Sequence, residues 1–296
     1  MNHMKVRRSK GSLLFDVSNN TVLFLVLVAT IYPFLYVASV SISDPQAVLQ
    51  NRISFYPIGL NFNAYLAVFD NPSIWTSYKN TIVYTAVGTF INLLLTTLMA
   101  YALSKRALYA RKFFTVVTIF TMFFHGGLIP TYLVVNQLGL INSMWAVILP
   151  IAVSTWNLIL MRTFFQEFPA ELEEAATIDG CNPIQVLVRI VLPLSKPIIA
   201  TISLFYAVWH WNAYLTPLIY LHDKVKFPLQ ILLQQILISG ETSFADAVSS
   251  IDSSALIIGD SVKYATIMVA ILPILLVYPF IQKYFVKGML IGSVKG

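Results

Sequence analysis

Six apolar segments, each long enough to cross a lipid bilayer as a helix, constrain this chain more than any other feature of its sequence. A helical crossing needs about 20 consecutive apolar residues. Each segment is continuous, unlike the alternating segments of about ten residues that form membrane barrels. The predicted spans are Thr21–Ser43, Ser77–Ser104, Phe113–Val135, Ser143–Phe165, Pro197–Leu221 and Val262–Phe285. The sequence therefore predicts an all-α, polytopic membrane protein with six transmembrane helices.

The distribution of charge predicts the orientation of these spans. Of the 296 residues, 57% are apolar and 11% are charged, whereas soluble domains carry about 25% charged residues. If the N-terminus lies in the cytoplasm, fourteen of the nineteen lysines and arginines fall in cytoplasmic segments. The five external ones are Arg52, Lys79, Lys224, Lys226 and Lys263. This bias predicts that both termini are cytoplasmic, and it explains the net charge of +6 without nucleic acid.

The spans divide the chain into segments with different expected environments. These are a basic cytoplasmic tail (1–20), the first span (21–43), an external loop (44–76), a core of five spans (77–285) and a cytoplasmic C-terminal tail (286–296). The core contains a long cytoplasmic connection at about residues 166–196, called the 4–5 loop below, and a polar external loop at about 222–261. The basic tail and first span resemble a signal sequence. Because this apolar segment is long and five spans follow it, we interpret it as an uncleaved first helix.

The 4–5 loop has the pattern of two short helices joined by a turn. Pro169 lies near the start of the first helix, and glutamates in its early turns favour the positive end of the helix dipole. Gly180 is predicted to end this helix in a left-handed conformation. Asn182 and Pro183 then have the residue types of an N-cap and a first helical residue.

The second helix of the loop is predicted to be amphipathic. Ile184, Leu187, Val188 and Val191 share one face at helical spacing, and Pro193 is expected to end the helix. Such a helix pair fits two interpretations: a folded cap on the membrane domain, or a docking element for a partner. Small residues in the first helix would let a partner surface approach closely, as at Ala175 and Ala176.

The residues of this loop resemble a specific family motif. Glu174, Ala175, Ala176, Asp179, Gly180, Ile190, Leu192 and Pro193 stand in the pattern of the EAA loop of binding-protein-dependent ABC importer permeases. In that family the loop forms coupling helices that sit in a cleft of a cytoplasmic ATPase and transmit its closure. The resemblance implies this coupling role for these eight residues, and Arg189 and Asp179 are candidate polar contacts at the same surface.

Similarity to the carbohydrate branch of this family extends through most of the chain. Residues 79–81 (Lys-Asn-Thr) resemble the family's entry to its second helix. Residues 211–217 are similar to the WN-x-aromatic-x-x-Pro segment of sugar permeases, with Ala213 where Asp is frequent. The C-terminal residues Ser293, Val294, Lys295 and Gly296 resemble the end of the maltose-type second permease subunit, in which the tail contacts the ATPase. The 124–131 stretch is similar to permeases for oligosaccharides from plant or algal polysaccharides, such as alginate or pectin.

The resemblance implies partners that this chain does not itself contain. It implies a heterodimer with a second, related permease subunit, two ATPase subunits that bind ATP and Mg²⁺, and an extracytoplasmic sugar-binding protein. It also implies a bacterial cytoplasmic membrane location and alternating access. The external loop would correspond to the family loop that reaches into the binding protein, although a solvated connector has the same composition.

Polar and aromatic residues within the spans are candidates for a translocation path. They are His125, Trp156, Asn157, Trp211, Asn212 and Tyr214. Aromatic faces and amides suit sugar rings, which present both apolar CH faces and hydroxyls. The alternatives remain open, because Trp and Tyr are also enriched at membrane interfaces and Asn also joins helices. The resemblance lowers the expectation of direct sugar contact, since the sugar contacts of the maltose-type family lie in the partner subunit.

Other chemistries lack their motifs in this sequence. There is no G-x-x-x-x-G-K-[ST] loop to bind nucleotide phosphates and no H-E-x-x-H or other metal-site spacing, so we expect no metal, cofactor or catalytic site on this chain. An ion-coupled secondary carrier is the first alternative, but the predicted spans contain no Asp or Glu. Import of a non-sugar solute, an intramembrane enzyme and a scaffold without transport activity are the remaining alternatives.

Overall fold

The computed structural model describes residues 10–239, 260–277 and 279, and these residues are predominantly helical. The α-helices are α1 (Lys10–Ser41), α2 (Pro45–Leu49), α3 (Asn63–Asp70), α4 (Pro72–Ser104), α5 (Arg111–Phe123), α6 (Leu128–Gln137), α7 (Met144–Ile148), α8 (Thr155–Gln166), α9 (Ala170–Ile178), α10 (Pro183–Val186), α11 (Leu192–Leu194), α12 (Lys196–Trp211), α13 (Leu215–Tyr220), α14 (Leu229–Ser239) and α15 (Asp260–Val277). Short 3-10 turns occupy Leu149–Ile151 and Lys224–Lys226, and a π-helical segment occupies Leu187–Val191. The all-α fold class is confirmed.

The predicted spans correspond to continuous and to bent helices. Among the residues that the structure describes, three helices are long and apolar enough to cross a membrane, namely α1 (over Leu14–Ser41), α4 and α15. Three further pairs qualify only when their two members are counted together: α5 with α6, α7 with α8, and Pro183–Leu194 with α12. The total is six spans if each bent pair crosses once.

The third predicted span is interrupted where the sequence indicated a kink. α5 and α6 meet at an angle of 116° across residues 124–127. Gly127 has a φ of +86° at this break, a conformation that residues with a Cβ rarely adopt. The sequence His125-Gly126-Gly127 followed by Pro130 predicts a kink in this span, and the kink is present.

Two other spans were predicted as continuous, and the structure corrects both. α7 and α8 are bent by 52°, because Pro150 lies in a 3-10 turn and Ser154 then caps α8 by accepting from the backbone N–H of Asn157. In the fifth span, α12 ends at Trp211 and the helix resumes as α13 at Leu215. Proline and a serine cap stop a helix even in an apolar segment, because they remove or satisfy its backbone donors.

The chain forms two compact units, of residues 1–70 with 235–269 and of residues 71–234 with 270–296. The core of the first unit contains Val40, Val48 and Ile53. In the second unit α4 packs most extensively against α12 and α8. The predicted domain limits stay predictions.

Candidate functional site

The first helix of the 4–5 loop begins and ends at the predicted residues. Pro169 is the N-cap of α9, and Glu171 and Glu173 lie in its first turn. At the other end, the Gly180 N–H donates to the Thr177 carbonyl at 3.0 Å and the Cys181 N–H donates to the Ala176 carbonyl at 2.9 Å. These two bonds form a Schellman motif, and the φ of +80° at Gly180 is the left-handed conformation that it requires.

The second helix begins with a complete capping box. The Asn182 side chain accepts from the Gln185 N–H, and the Gln185 side chain accepts from the Asn182 N–H, both at 2.9 Å. Pro183 occupies the first turn, where its missing N–H costs no hydrogen bond. Schellman motif and capping box follow each other directly, so that the turn between the two helices is defined by local sequence.

The end of the second helix differs from the prediction. Pro193 was expected to end it, but the helix continues through α11 to Leu194, and the chain turns by 86° into α12 only at Ser195. A π-helical turn precedes the proline, and in it the Leu192 N–H donates to the Leu187 carbonyl five residues earlier. Because Pro193 follows as an early residue of a new helical segment, its missing N–H is tolerated.

The two helices bury one side against the protein's own core. Val186, Leu187 and Val191 are at most 3% exposed, and Ala176 is 5% exposed. They form one hydrophobic cluster with Met161 and other residues of α4, α8 and α12. The 4–5 loop is therefore packed firmly onto the helices that precede and follow it.

The opposite side of the loop is apolar and exposed, and we call Ala175, Ile178, Ile184 and Val188 the exposed face. The exposed fractions are 86% for Ile178, 69% for Ile184 and 54% for Val188. The prediction that Ile184, Leu187, Val188 and Val191 share one face was therefore wrong. Leu187 and Val191 are buried together with Val186, while Ile184 and Val188 are exposed, so the buried stripe is centred on Leu187 and does not reach Ile184.

The motif residues divide between these two sides. Glu174, Ala175, Asp179, Gly180, Arg189 and Pro193 are exposed, whereas Ile190 and Leu192 are partly buried against the core. Ala176 faces the protein's own core, so that Ala175 is the alanine of the motif that a partner could contact. The predicted ATPase-contacting tail, Ser293, Val294, Lys295 and Gly296, lies outside the described residues.

An ion pair that the sequence did not predict connects α9 to the C-terminal end of α4. Lys105, the residue after α4, contacts the Glu173 carboxylate, and both side chains are more than two-thirds buried. The Lys105 ammonium also lies 4.1 Å from the centre of the Tyr101 ring. This contact joins residues 68 positions apart, and no local sequence pattern indicates it.

We expect the Lys105–Glu173 pair to contribute about 1 kcal/mol to the packing of the loop. Lys105→Glu and Glu173→Lys should each lower the thermal unfolding temperature of the purified protein, because each places two like charges together. The double variant Lys105→Glu/Glu173→Lys should restore most of the loss. If the double variant loses as much unfolding temperature as the two single variants together, the pair contributes nothing to stability.

Two arginines occupy the same C-terminal end of α4. The Leu103 carbonyl accepts from Arg111 Nε at 2.9 Å and from Arg162 Nε at 3.2 Å. Cations are favoured here, because the last carbonyls of a helix carry partial negative charge and lack intrahelical donors. Both arginines belong to the excess that the orientation prediction placed in the cytoplasm.

The six candidate path residues all lie at breaks between helices. His125 lies between α5 and α6, and Trp156 and Asn157 lie in the first turn of α8. Trp211 is the last residue of α12, and Asn212 and Tyr214 lie between α12 and α13. His125, Trp156 and Asn212 are exposed, Tyr214 is half-buried and Asn157 is buried. Within membranes, irregular backbone is found where it is buried in protein or lines a cavity.

Trp211 is held by neighbouring helices of its own unit. Its indole Nε1 donates to the Ala270 carbonyl at 3.3 Å, and its ring packs edge-on against Tyr78 with 6.1 Å between centroids. The Asn212 side chain donates to the Val208 carbonyl at 2.8 Å. These contacts give both residues structural roles, and contact with a transported molecule stays a prediction.

The start of the external loop is fixed by Asn142, the turn residue between α6 and α7. The Asn142 side chain accepts from the backbone N–H groups of His222 and Asp223 at 3.1 Å and donates to the Asp223 carboxylate at 2.7 Å. Lys226 pairs with the same carboxylate at 2.8 Å.

The hydrogen bonds from Lys226 and Asn142 hold the pKa of Asp223 below its ordinary value, so that the ion pair persists at neutral pH and is lost only in acid. Residues 240–259 of the predicted external loop lie outside the described residues.

Bent apolar spans and a paired-helix loop with an exposed apolar face are the features of a transport subunit embedded in a membrane. Residues 72–291 match the family model described as the binding-protein-dependent transport system inner membrane component. The chain belongs to this family, as the resemblance of its 4–5 loop implied.

Relatives and a solved structure match nearly the whole chain. The chain is 44% identical over 283 residues to the polygalacturonan/rhamnogalacturonan transport system permease protein YtcP of Bacillus subtilis. The aligned region covers 96% of this chain and 99% of that protein. It is 45% identical over 291 residues to protein LplC of the same organism, and this aligned region covers 98% of each chain. The crystal structure of a bacterial ABC transporter involved in the import of the acidic polysaccharide alginate matches with a TM-score of 0.88 and 36% identity, and covers 95% of this chain and 100% of that chain.

Proposed function

We propose that this chain is the second permease subunit of an ATP-driven importer in a bacterial cytoplasmic membrane, with both termini in the cytoplasm. It would pair with a related permease subunit to form half of the translocation path. Two separate ATPase subunits would bind ATP and Mg²⁺, and an external binding protein would deliver an oligosaccharide. The family membership supports a transport role, and the charge bias supports the orientation.

The exposed face of the 4–5 loop is the observation on which this proposal rests. Ile178, Ile184 and Val188 present apolar surface beside exposed charged residues, while Ala176, Leu187 and Val191 of the same segment are packed into the protein. Apolar surface grouped in this way, with a polar surround, is typical of a protein–protein interface. A rigid loop with such a face fits docking into a cleft of an ATPase better than it fits a passive cap, whose apolar residues would be buried.

The packing of the loop supports a mechanism of alternating access. The buried side of the loop is continuous with α4, α8 and α12, so that movement of the loop must displace these helices or strain the cluster. ATP-driven closure of the ATPase dimer would therefore shift the loop and turn the spans toward the external side. Hydrolysis of ATP would then return the spans to their earlier orientation. The helix breaks that contain the six candidate path residues are suitable places for the path itself.

Cys181 provides a direct test of docking, because it is the chain's single cysteine and lies between the two loop helices, partly exposed. In proteoliposomes containing both permease subunits, with cysteines removed from the other subunits, we expect maleimide to label Cys181 at least about fivefold more slowly once the ATPase is bound. Addition of ATP should change the rate again.

The matched control carries Cys181→Ser and Lys224→Cys, which moves the single thiol to an exposed external position. Its labelling rate should not depend on the ATPase. If the ATPase leaves the labelling of Cys181 unchanged although both permease subunits and the binding protein are present, the proposed coupling function is wrong.

We further propose that the transported molecule is an acidic oligosaccharide derived from pectin or alginate. One relative named for polygalacturonan/rhamnogalacturonan transport and a solved alginate importer support this substrate class, since each aligns with nearly the whole chain. Both polysaccharides consist largely of uronate sugars, so that the shared property is a carboxylated sugar ring.

Calorimetry on the cognate binding protein tests the substrate class. Short oligogalacturonates or oligoalginates are expected to bind with micromolar or tighter dissociation constants. A micromolar constant corresponds to a binding free energy of about −8 kcal/mol. Maltotriose, a neutral sugar of similar length, should bind at least about a hundredfold more weakly, because a site built for a carboxylate leaves buried cations unpaired. Equal affinity for neutral and acidic sugars would contradict the acidic class while leaving the transport role intact.

A further inference from the structure

Two backbone groups at the α7–α8 break are satisfied by side chains of other helices. The Ile151 carbonyl accepts from Asn92 Nδ2 on α4 at 2.6 Å, and the Ser154 N–H donates to the Tyr206 hydroxyl on α12 at 3.0 Å. Asn92 is fully buried and Tyr206 is 4% exposed. A helix break within a membrane frees backbone groups that must find partners, and here two different helices supply them.

The two side chains are in turn held by a second pair. His210 Nε2 lies 2.9 Å from Asn92 Oδ1, and the Thr96 hydroxyl lies 2.7 Å from the Tyr206 hydroxyl. Because the Asn92 oxygen can only accept, His210 donates to it through Nε2. Asn92 and Thr96 are four residues apart on α4, and Tyr206 and His210 are four residues apart on α12, so both pairs lie on facing sides of their helices. We call these four residues the polar cluster.

Gly88 permits the close approach that the polar cluster requires. A Cβ at position 88 would lie 2.4 Å from His210 Nε2, and its three nearest atoms would all belong to the His210 ring. Glycine is therefore needed at this position because of the imidazole, and the requirement should disappear if the ring is removed.

The helix whose start is fixed by the polar cluster also carries the 4–5 loop. Met161 and Phe165 on α8 are at most 4% exposed and pack in one cluster with Ala176, Leu187 and Val191 of the loop. The direction in which α8 leaves the break therefore determines where the loop stands. The polar cluster and the loop lie at opposite ends of one helix of 12 residues.

We propose that the polar cluster is a positioning site for transport, which fixes the angle between α7 and α8 and thereby transmits movement of the 4–5 loop into the membrane. This inference rests on the proposed coupling function of the loop. Stability alone does not account for the cluster, because hydrogen bonds between membrane helices contribute little and the buried His210 Nδ1 has no partner among the described residues. Polar groups of this kind select one arrangement of helices over others.

Hydroxyl deletions test the proposal in the assembled transporter. Thr96→Val and Tyr206→Phe remove one hydroxyl each with little change in volume, and Thr96→Ser keeps the hydroxyl. The quantity to measure in proteoliposomes is the number of sugar molecules imported per ATP hydrolysed. We expect this ratio to fall about tenfold in the two deletion variants and to stay within about twofold of the native value in Thr96→Ser. Tyr132→Phe, which removes a phenolic hydroxyl from α6, is the matched control.

A compensation experiment tests the geometry without depending on a single variant. Gly88→Ala should lower the ratio of sugar to ATP about tenfold in the native background, because the methyl group displaces His210. In a His210→Ala background the same substitution should have less than about a twofold effect, since the atoms it would meet are absent. Equal effects in both backgrounds would overturn the proposed contact.

The outcomes separate this inference from the proposed function. If the hydroxyl deletions keep the native ratio, or lower only the amount of assembled complex while the ratio is unchanged, the polar cluster is structural and the inference is wrong. If the native protein fails to bind the ATPase or to protect Cys181, the coupling function itself fails, whatever the variants do. Binding of the ATPase by all variants, with uncoupled hydrolysis in Thr96→Val, Tyr206→Phe and Gly88→Ala but not in Thr96→Ser or Tyr132→Phe, is the expected result.

Discussion

Replacing Ala175 with tryptophan is expected to prevent productive docking of the ATPase while the protein remains folded. Ala175 is exposed on α9, and the large side chain would project where a partner surface approaches the helix. Transport and transport-coupled ATP hydrolysis should fall more than about tenfold, because a steric clash at an interface cannot be relieved by the loop's own packing. The thermal unfolding temperature of the protein alone should change little, as for other exposed substitutions.

The matched control is Ala107→Trp, which adds the same side chain at an exposed alanine in the segment between α4 and α5. It should assemble and transport like the native protein. Ala176→Trp provides the opposite comparison, since Ala176 is 5% exposed and the substitution would disrupt the hydrophobic cluster. Native coupling in Ala175→Trp would exclude α9 from the docking surface.

Leu187→Ala and Val188→Ala are expected to have different effects although the two residues are adjacent. Leu187 is 3% exposed and packs in the cluster with α8 and α12, so its truncation should cost about 2–5 kcal/mol of unfolding free energy. Val188 is 54% exposed, so its truncation should cost less than about 0.5 kcal/mol. Val188→Ala should instead weaken ATPase binding, because it removes part of the exposed face.

Thermal unfolding of the purified protein and binding of the ATPase, measured on the same preparations, distinguish the two effects. Ile184→Ala serves as a second variant of the exposed face, since Ile184 is 69% exposed. Loss of stability in Val188→Ala, or none in Leu187→Ala, would contradict the division of the second loop helix into a buried and an exposed side.

Local sequence was sufficient to predict both ends of the first loop helix and the start of the second. Pro169, Gly180, Asn182 and Pro183 all take the roles that their residue types indicate, because caps and left-handed turns depend on neighbouring backbone groups only. The kink before Pro130 was predictable for the same reason. The breaks at residues 152–154 and 212–214 were missed, because an apolar window of about 20 residues hides an isolated capping residue such as Ser154 or Asn212.

The face on which each apolar residue of the second loop helix lies was not predictable from spacing. Helical periodicity grouped Leu187 with Val188, whereas packing against the neighbouring α8 buries Leu187 and leaves Val188 exposed. The same limit applies to Lys105 with Glu173 and to Asn92 with His210. Their residue types are unremarkable in sequence, and only the approach of α4 to α9 and α12 makes them partners.

The sequence by itself determined that this protein is a helical membrane protein, where most of its spans lie and which loop is the candidate coupling element. These properties depend on the transfer of apolar segments to lipid and on hydrogen bonds within a few residues, which a linear pattern contains. The tertiary structure decided which loop residues remain exposed for a partner and which buried polar groups hold the α7–α8 break. Those properties depend on contacts between residues 50 to 120 positions apart, whose distances follow from helix packing and not from spacing along the chain.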